Sequence, residues 1–568
     1  MISRRMALQR LRSLRNRYGA PAEMEKRALL RQLRPARMVS CNELLALHED
    51  LLFICAFPGA AATRTLARRM LAETAARLQR LPRAQQARAD DTGMAGSTTR
   101  HVFPYPLAQW LTRMAPSDIE VDWRGFDDPS RLDTLVGLLL CAAEREGFES
   151  GEFATRDWIR LARRAGAPTD LAWLAAGGRA GPGVAQWLEA EWDGAEVPLA
   201  WQLRASRWSA TRNVVAGLPL ACRTGMRKPA ADTAAEIARP LHAIERLSRP
   251  RARQVVAAAR AALVVRCREV NAMTYPNLDE VWWCDLGEGA ALAVIGIAPA
   301  QRLTLETNTG YLLFANGVPI GYGGVTPLFR QANTGINIFD PYRGSEAAFL
   351  WTQMLRAFRT LYGCDRFVIN AYQFGAGNAE AIQSGAFWFY YRLGFRPGGA
   401  RTRTLAAREA ARMAADRAYR SDTKTLRALA TGDLYLDLPG FAPADHFDEA
   451  LLPQVGAMAA RQLAAQAVAS RADALRRVVQ SVAGDLGVRD LGAWSPAQRR
   501  GFGLLAPVVA GLHDLRDWPA PERAALVTMM RAKGSGQERE FALAARAVPR
   551  AFGEIAAAAR ALGANRAC

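Results

Sequence analysis

The stretch Tyr311-Leu312-Leu313-Phe314-Ala315-Asn316-Gly317-Val318-Pro319-Ile320-Gly321-Tyr322-Gly323-Gly324-Val325 decides the fold. Two apolar runs flank an Asn-Gly pair, and Asn and Gly both tolerate the positive φ that a two-residue hairpin turn requires. The pattern predicts a β-hairpin. A third strand over 336–339 must end at Asp340-Pro341, because proline has no N–H to give to a sheet ladder. The turn Tyr342-Arg343-Gly344-Ser345-Glu346 follows, then a helix whose stripe is Ala347, Leu350, Trp351, Met354, Leu355, Phe358, Leu361 and Tyr362. Gly363 is placed to close that helix. A strand over 367–371, a loop with Gly375, Gly377 and Asn378, and a second helix ending in Tyr391-Arg392-Leu393-Gly394-Phe395 complete the order.

Further β-type runs at 290–297, 302–307 and 366–372 cluster around this segment and nowhere else. A long helical pattern over 241–270 leads into it. Apolar residues at helical spacing also occupy residues 5–80, 107–114, 132–146 and 155–165, and the chain from 405 onward reads as alanine-rich helices separated by prolines. The expected organisation is a basic helical region over 1–86, a mainly helical domain with an irregular linker over 87–235, an α/β domain over 236–400 and a helical domain over 401–568.

The chain has 568 residues, half of them apolar, with 74 Lys and Arg against 54 Asp and Glu and a net charge of +20. That is ample material for buried cores and excludes global disorder. Seventy of the basic residues are arginine and four are lysine, a bias that a GC-rich bacterial genome imposes, so the charge says less about nucleic acid than its size suggests. Eleven basic residues but only Glu23 and Glu25 fall within residues 1–37. This basic arm offers phosphate contacts to a nucleic acid; the favoured reading is a solvated arginine-rich helix face rather than a nucleic-acid site or a presequence. No apolar run reaches the 18 residues of a membrane span, and the eight cysteines are scattered singly, as expected of reduced thiols in a cytoplasm. His48, His101, His242, His446 and His513 lie far apart without zinc spacing, so no metal is expected.

The order of elements, the strand that stops at Pro341, the Tyr342-Arg343-Gly344 turn and the Tyr-x-x-Gly-Phe of residues 391–395 resemble the GNAT acyl-CoA N-acyltransferase superfamily over roughly residues 241–398. The resemblance implies an α/β fold: a GNAT-like mixed sheet with flanking helices, embedded between mainly helical N- and C-terminal regions. It implies acetyl-CoA or another acyl-CoA as co-substrate and a small-molecule or peptide amine as acceptor. The residues it places against the cofactor are Ile338 and Phe339 on the strand, Tyr342, Arg343, Gly344, Ser345, Glu346 and Ala347 around the helix start, and Ser384 in place of an asparagine. Backbone N–H groups at such a helix end suit a pyrophosphate. Tyr391 inherits the role of acid toward the leaving thiolate, and Asp340 and Glu306 are candidate bases.

Three departures accompany the resemblance. Glu346 stands where the family keeps the middle glycine, the turn is one residue short, and the usual asparagine is Ser384. A carboxylate there would compete with phosphate for the same donors, which leaves a second reading open: a GNAT-fold binding or scaffold protein without CoA. A third is a tRNA-dependent aminoacyl transferase, which would need the basic arm to face the cleft.

Overall fold

A computed structural model describes residues 2–163, 169–176 and 182–564, so Cys568 and the end of the 155–165 helical pattern lie outside the described residues. Thirteen strands form two sheets among the described residues. The smaller sheet is antiparallel, with β1 (Thr98–Val102), β2 (Ile119–Val121) and β3 (Pro198–Gln202) in the order β1-β3-β2. It lies within the region expected to be helical.

The larger sheet holds β4 (Ile244–Arg246), β5 (Pro276–Gly287), β6 (Ala290–Ile297), β7 (Thr309–Ala315), β8 (Val318–Leu328), β9 (Gln331–Thr334), β10 (Asn337–Ile338), β11 (Arg366–Ile369), β12 (Arg396–Pro397) and β13 (Leu434–Asp437). Their order is β12-β13-β11-β9-β8-β7-β6-β5-β4, with β10 beside β8. All pairings are antiparallel except β9 with β11, which run parallel on either side of the Ala347–Tyr362 helix. Every residue of β6 and β7 is buried, because helices cover both faces of the sheet, and continuous apolar runs such as Ala290–Ile297 supply what a doubly covered strand needs.

The expected hairpin forms with Ala315 opposite Val318, and Asn316 and Gly317 carry φ of 49° and 79°. Gly363 closes its helix at φ 71°. Several expectations need correction. The helix expected from 241 starts at Arg249, where Pro250 takes a first-turn position, and β4 precedes it. The run at 302–307 forms no strand: Arg302 turns inward to the carbonyls of Lys533 (3.0 Å) and Ser535 (2.7 Å). β13 lies beyond residue 400, within the stretch expected to be helical, and adds an antiparallel strand to β11.

Three hydrophobic cores organise the chain. One joins the N-terminal helices to the large sheet, one fills the small-sheet region with the inner face of the Arg249–Val264 helix, and one fills the C-terminal helices. The N-terminal helix Arg4–Leu14 buries Ala7, Leu8, Leu11 and Leu14 rather than standing free in solvent. Arg4, Arg10, Arg12, Arg15, Lys26 and Arg34 make ion pairs with acidic side chains, so much of the basic arm's charge is matched within the fold. No helix among the described residues is long and apolar enough to cross a membrane.

Two polar fasteners hold these layers. Asn316, in the hairpin turn, accepts from Ala221 N–H (2.8 Å) and donates to Ala56 O (2.9 Å) and Ala221 O (3.1 Å). Replacing it by Ala removes all three bonds and the residue type that tolerates positive φ, so Asn316→Ala should lose about 2–4 kcal/mol of stability, read from the urea midpoint. At the C-terminal seam, buried Glu280 accepts from the N–H groups of Glu538 (2.9 Å) and Arg539 (2.8 Å), beside a Lys533–Glu538 pair at 2.6 Å with no exposure. Burial raises the Glu280 carboxyl from 4.5 to about 7, against those two N–H donors and Arg302. Because the folded value lies above the unfolded one, the associated stability is whole below about pH 4.5 and is lost as pH rises through about 7. Glu280→Gln should flatten the pH dependence of the melting temperature across that window.

Candidate functional site

The site arises where β9 and β11 part. They pair in parallel from Gln331/Arg366 to Asn333/Val368. Past Thr334 the chain leaves β11 but stays beside β8, which β9 already pairs, and continues along it as β10, while β11 ends at Ile369 and gives way to a short turn at Ala371–Phe374. The two backbones diverge and a cleft of about 670 Å³ opens between them. Its floor is the 336–341 segment. Asn378, Ser384 and Tyr390 line it from the segment after β11, and Arg266, Arg268 and Tyr322 line it as well. Leu45, His48, Glu49 and Leu52 of the N-terminal helix Cys41–Ala56 cover it.

Of the residues singled out from sequence, Ile338, Phe339, Asp340, Arg343, Ala347 and Ser384 line this cleft. Tyr342 is buried beneath the turn with its hydroxyl unpartnered, and the Ser345 Oγ is likewise buried without a hydrogen bond. Gly344 sits exposed at φ 78°, a conformation that favours glycine. The Ser384 hydroxyl donates to Ala381 O at 3.1 Å, a bond within its own helix. Asp340 and Glu380 both pair with Arg343, at 2.9 and 2.5 Å.

Glu346 sits just before the Ala347–Tyr362 helix yet does not cap it. Its carboxylate turns instead to two arginines of the irregular 213–232 segment. Arg223 donates from Nε (2.8 Å) and Nη2 (3.2 Å), and Arg227 donates from Nε (2.9 Å) and Nη2 (2.7 Å). Glu346 and Arg223 have side-chain exposures of 0% and 1%, so this is a buried triad whose two cations outnumber its anion. The helix N-terminus is thereby left with its own donors: the N–H groups of Gly344, Glu346, Ala347, Ala348 and Phe349 have no acceptor among the described residues, and the first bond of the helix is Leu350 N–H to Glu346 O at 2.9 Å.

Tyr391 and Glu306 are not brought to the cleft. Tyr391 stacks on Phe387 at 5.8 Å and carries the Arg396 guanidinium 4.3 Å from its ring centre, on the outer side of its helix. Glu306 lies toward the C-terminal bundle, where its carbonyl accepts from Lys533 and burial together with nearby Glu449 raises its carboxyl. Two tyrosines line the cleft, Tyr322 and Tyr390, and the one from the 387–391 run is Tyr390, buried among Trp351, Phe374 and Phe395. Burial pushes its phenol up, against the Ile336 N–H. The aromatic run 387–391 surrounds its helix, so periodicity alone could not separate Tyr390 from Tyr391. Arg266, Arg268 and His48 also went unmarked: the arginines lie just past a helix end, and His48 lies on an N-terminal helix far away in sequence. His48 Nε2 is 2.9 Å from Thr211 Oγ1, and burial with the nearby Arg266 charge lowers it to about 3, so it is neutral. Among the described residues no group of three or more His, Cys, Asp or Glu side chains is placed to hold a metal ion.

Breaking the triad tests its weight in the structure. Glu346→Ala leaves buried Arg223 without a carboxylate and Arg227 with only the exposed Glu288 at 3.7 Å, and should destabilise by about 3–5 kcal/mol, while Glu346→Met with Arg223→Met should recover part of that loss; urea denaturation of the three proteins measures both. No protein-family model matches this sequence, and neither a curated protein nor a solved structure matches it.

Proposed function

We propose that the chain is an acyltransferase that moves an acyl group, acetyl in the simplest case, from a CoA thioester to an amine within the 336–390 cleft. The observation that carries this reading is the start of the Ala347–Tyr362 helix: it opens beside the cleft with unpartnered N–H donors, and the carboxylate that would oppose a phosphate there is tied to Arg223 and Arg227. Such an end attracts a pyrophosphate through its donors and its dipole. The sequence of hairpin, strand, turn, helix and parallel strand supports the resemblance to GNAT acyltransferases, as does the parting of β9 from β11, which leaves room for an extended pantetheine arm.

In this reading the N–H groups around Gly344 to Phe349 hold phosphates, and Ile338 and Phe339 lie along the arm. Tyr390 takes the role that the sequence offered to Tyr391. Its phenol is protonated at neutral pH as any tyrosine is, and the rise caused by burial makes that proton harder to release, so the role rests on its place in the cleft. Asp340, 2.9 Å from Arg343, accepts the proton of the amine. A scaffold reading is favoured by one observation, the buried carboxylate where the family keeps glycine, and it makes the opposite forecast for CoA.

Calorimetry of the full chain with acetyl-CoA separates the two: binding is expected, and neither heat nor thermal shift at millimolar ligand would overturn the enzyme. Tyr390→Phe should lower thiol release from acetyl-CoA, assayed with a panel of amines, about 10²-fold or more with KM nearly unchanged. Tyr391→Phe should keep wild-type turnover.

A further inference from the structure

The cleft holds two cations that the transfer chemistry does not use. Arg266 and Arg268 follow the Arg249–Val264 helix and line the same cleft as Tyr390. The Arg266 guanidinium lies 4.1 Å from the centre of the Phe339 ring, and Tyr322 stacks on the same ring at 5.3 Å and 25°. Arg266 Nη1 donates to Ala262 O at 2.7 Å. No other acceptor binds it, and among the described residues no carboxylate reaches Arg266 or Arg268 within 4.0 Å.

The carboxylates lining the cleft are engaged elsewhere. Asp340 and Glu380 pair with Arg343, Glu49 with Arg12 at 2.7 Å, and Asp91 accepts the Arg100 N–H at 2.7 Å. Burial draws the Arg266 pKa down, against the charge of Asp340 nearby. With Nη1 spent on Ala262, the edge that remains is Nε with Nη2. Two parallel donors on one edge match the two oxygens of a planar carboxylate. The phosphates of CoA already have their donors at the helix start.

We infer that the acceptor amine carries a carboxylate, as an amino acid does, and that Arg266 grips it through the Nε and Nη2 edge over the Phe339 ring while Arg268 lies alongside. The amine part of this inference rests on the acyl-transfer reading; the carboxylate site does not.

Thermal shift of the full chain tests it with free L-amino acids at millimolar concentration, each beside its carboxamide, and separately with CoA. At least one amino acid should raise the melting temperature while its amide does not. Arg266→Gln should weaken that amino acid at least tenfold and leave CoA binding unchanged, with Arg266→Lys intermediate. Acids and amides that behave alike, a panel in which none binds, or Arg266→Gln weakening CoA but not the acid would each overturn the inference. If Arg266→Gln melts early without ligand, the acid-to-amide comparison in the wild-type chain and Arg268→Gln still decide. Acid binding without CoA binding would remove the acyl-transfer reading and keep the carboxylate site.

Discussion

The buried carboxylate of Glu346 is the constraint around which the site is built. Arg223 and Arg227 reach it from one segment, and the same two guanidinium groups also bind Glu288 O (2.5 Å) and Gly287 O (3.0 Å) in the turn between β5 and β6. Arg227 further lies 4.0 Å over Phe349, and the Arg223 N–H donates to Pro58 O at 2.7 Å. One anion thus fixes the helix start, a sheet turn and the end of an N-terminal helix relative to each other. Burying charge is expensive in free energy, and it is tolerated here because each carboxylate oxygen receives several donors. The consequence for chemistry is indirect: a side chain that would have filled the helix end is drawn away from it.

The cleft itself needs no special residue at its base. It follows from the short parallel pairing of β9 with β11, which stops at Asn333/Val368 while the chain goes on along β8 as β10. Tyr311 reinforces this exit, its buried hydroxyl donating to Gly335 O. What makes the opening specific is the set of side chains delivered from outside the sheet: His48 and its neighbours from an N-terminal helix, and Arg266 and Arg268 from the end of a helix packed on the sheet.

How much of this can be read from sequence depends on whether the determinant is local. Asn316-Gly317, Pro341 and Gly363 act through their own backbone preferences, and the elements they punctuate are legible. β6 is legible because a strand covered on both faces is apolar throughout. β5 is not, since Asp279, Glu280 and Asp285 interrupt its pattern, and Glu280 is there to receive two N–H groups from the C-terminal helices. The run at 302–307 looks extended but is shaped by Arg302, whose partners lie more than 200 positions away. The departure at Glu346 could be seen, yet its meaning could not, because the arginines that neutralise it are 119 and 123 positions upstream.

The cleft draws its lining from residues 45–52, 91–92, 210, 266–268, 322–347 and 373–390. Such a site has no local precursor. Closing contacts over these separations is the slow part of folding, because the chain entropy must be spent before the contacts reward it. During synthesis the N-terminal wall waits through some three hundred further residues before the opposing helix emerges. The cleft therefore exists only once these distant segments have come together, and a partly folded chain exposes apolar segments without the pocket they will form.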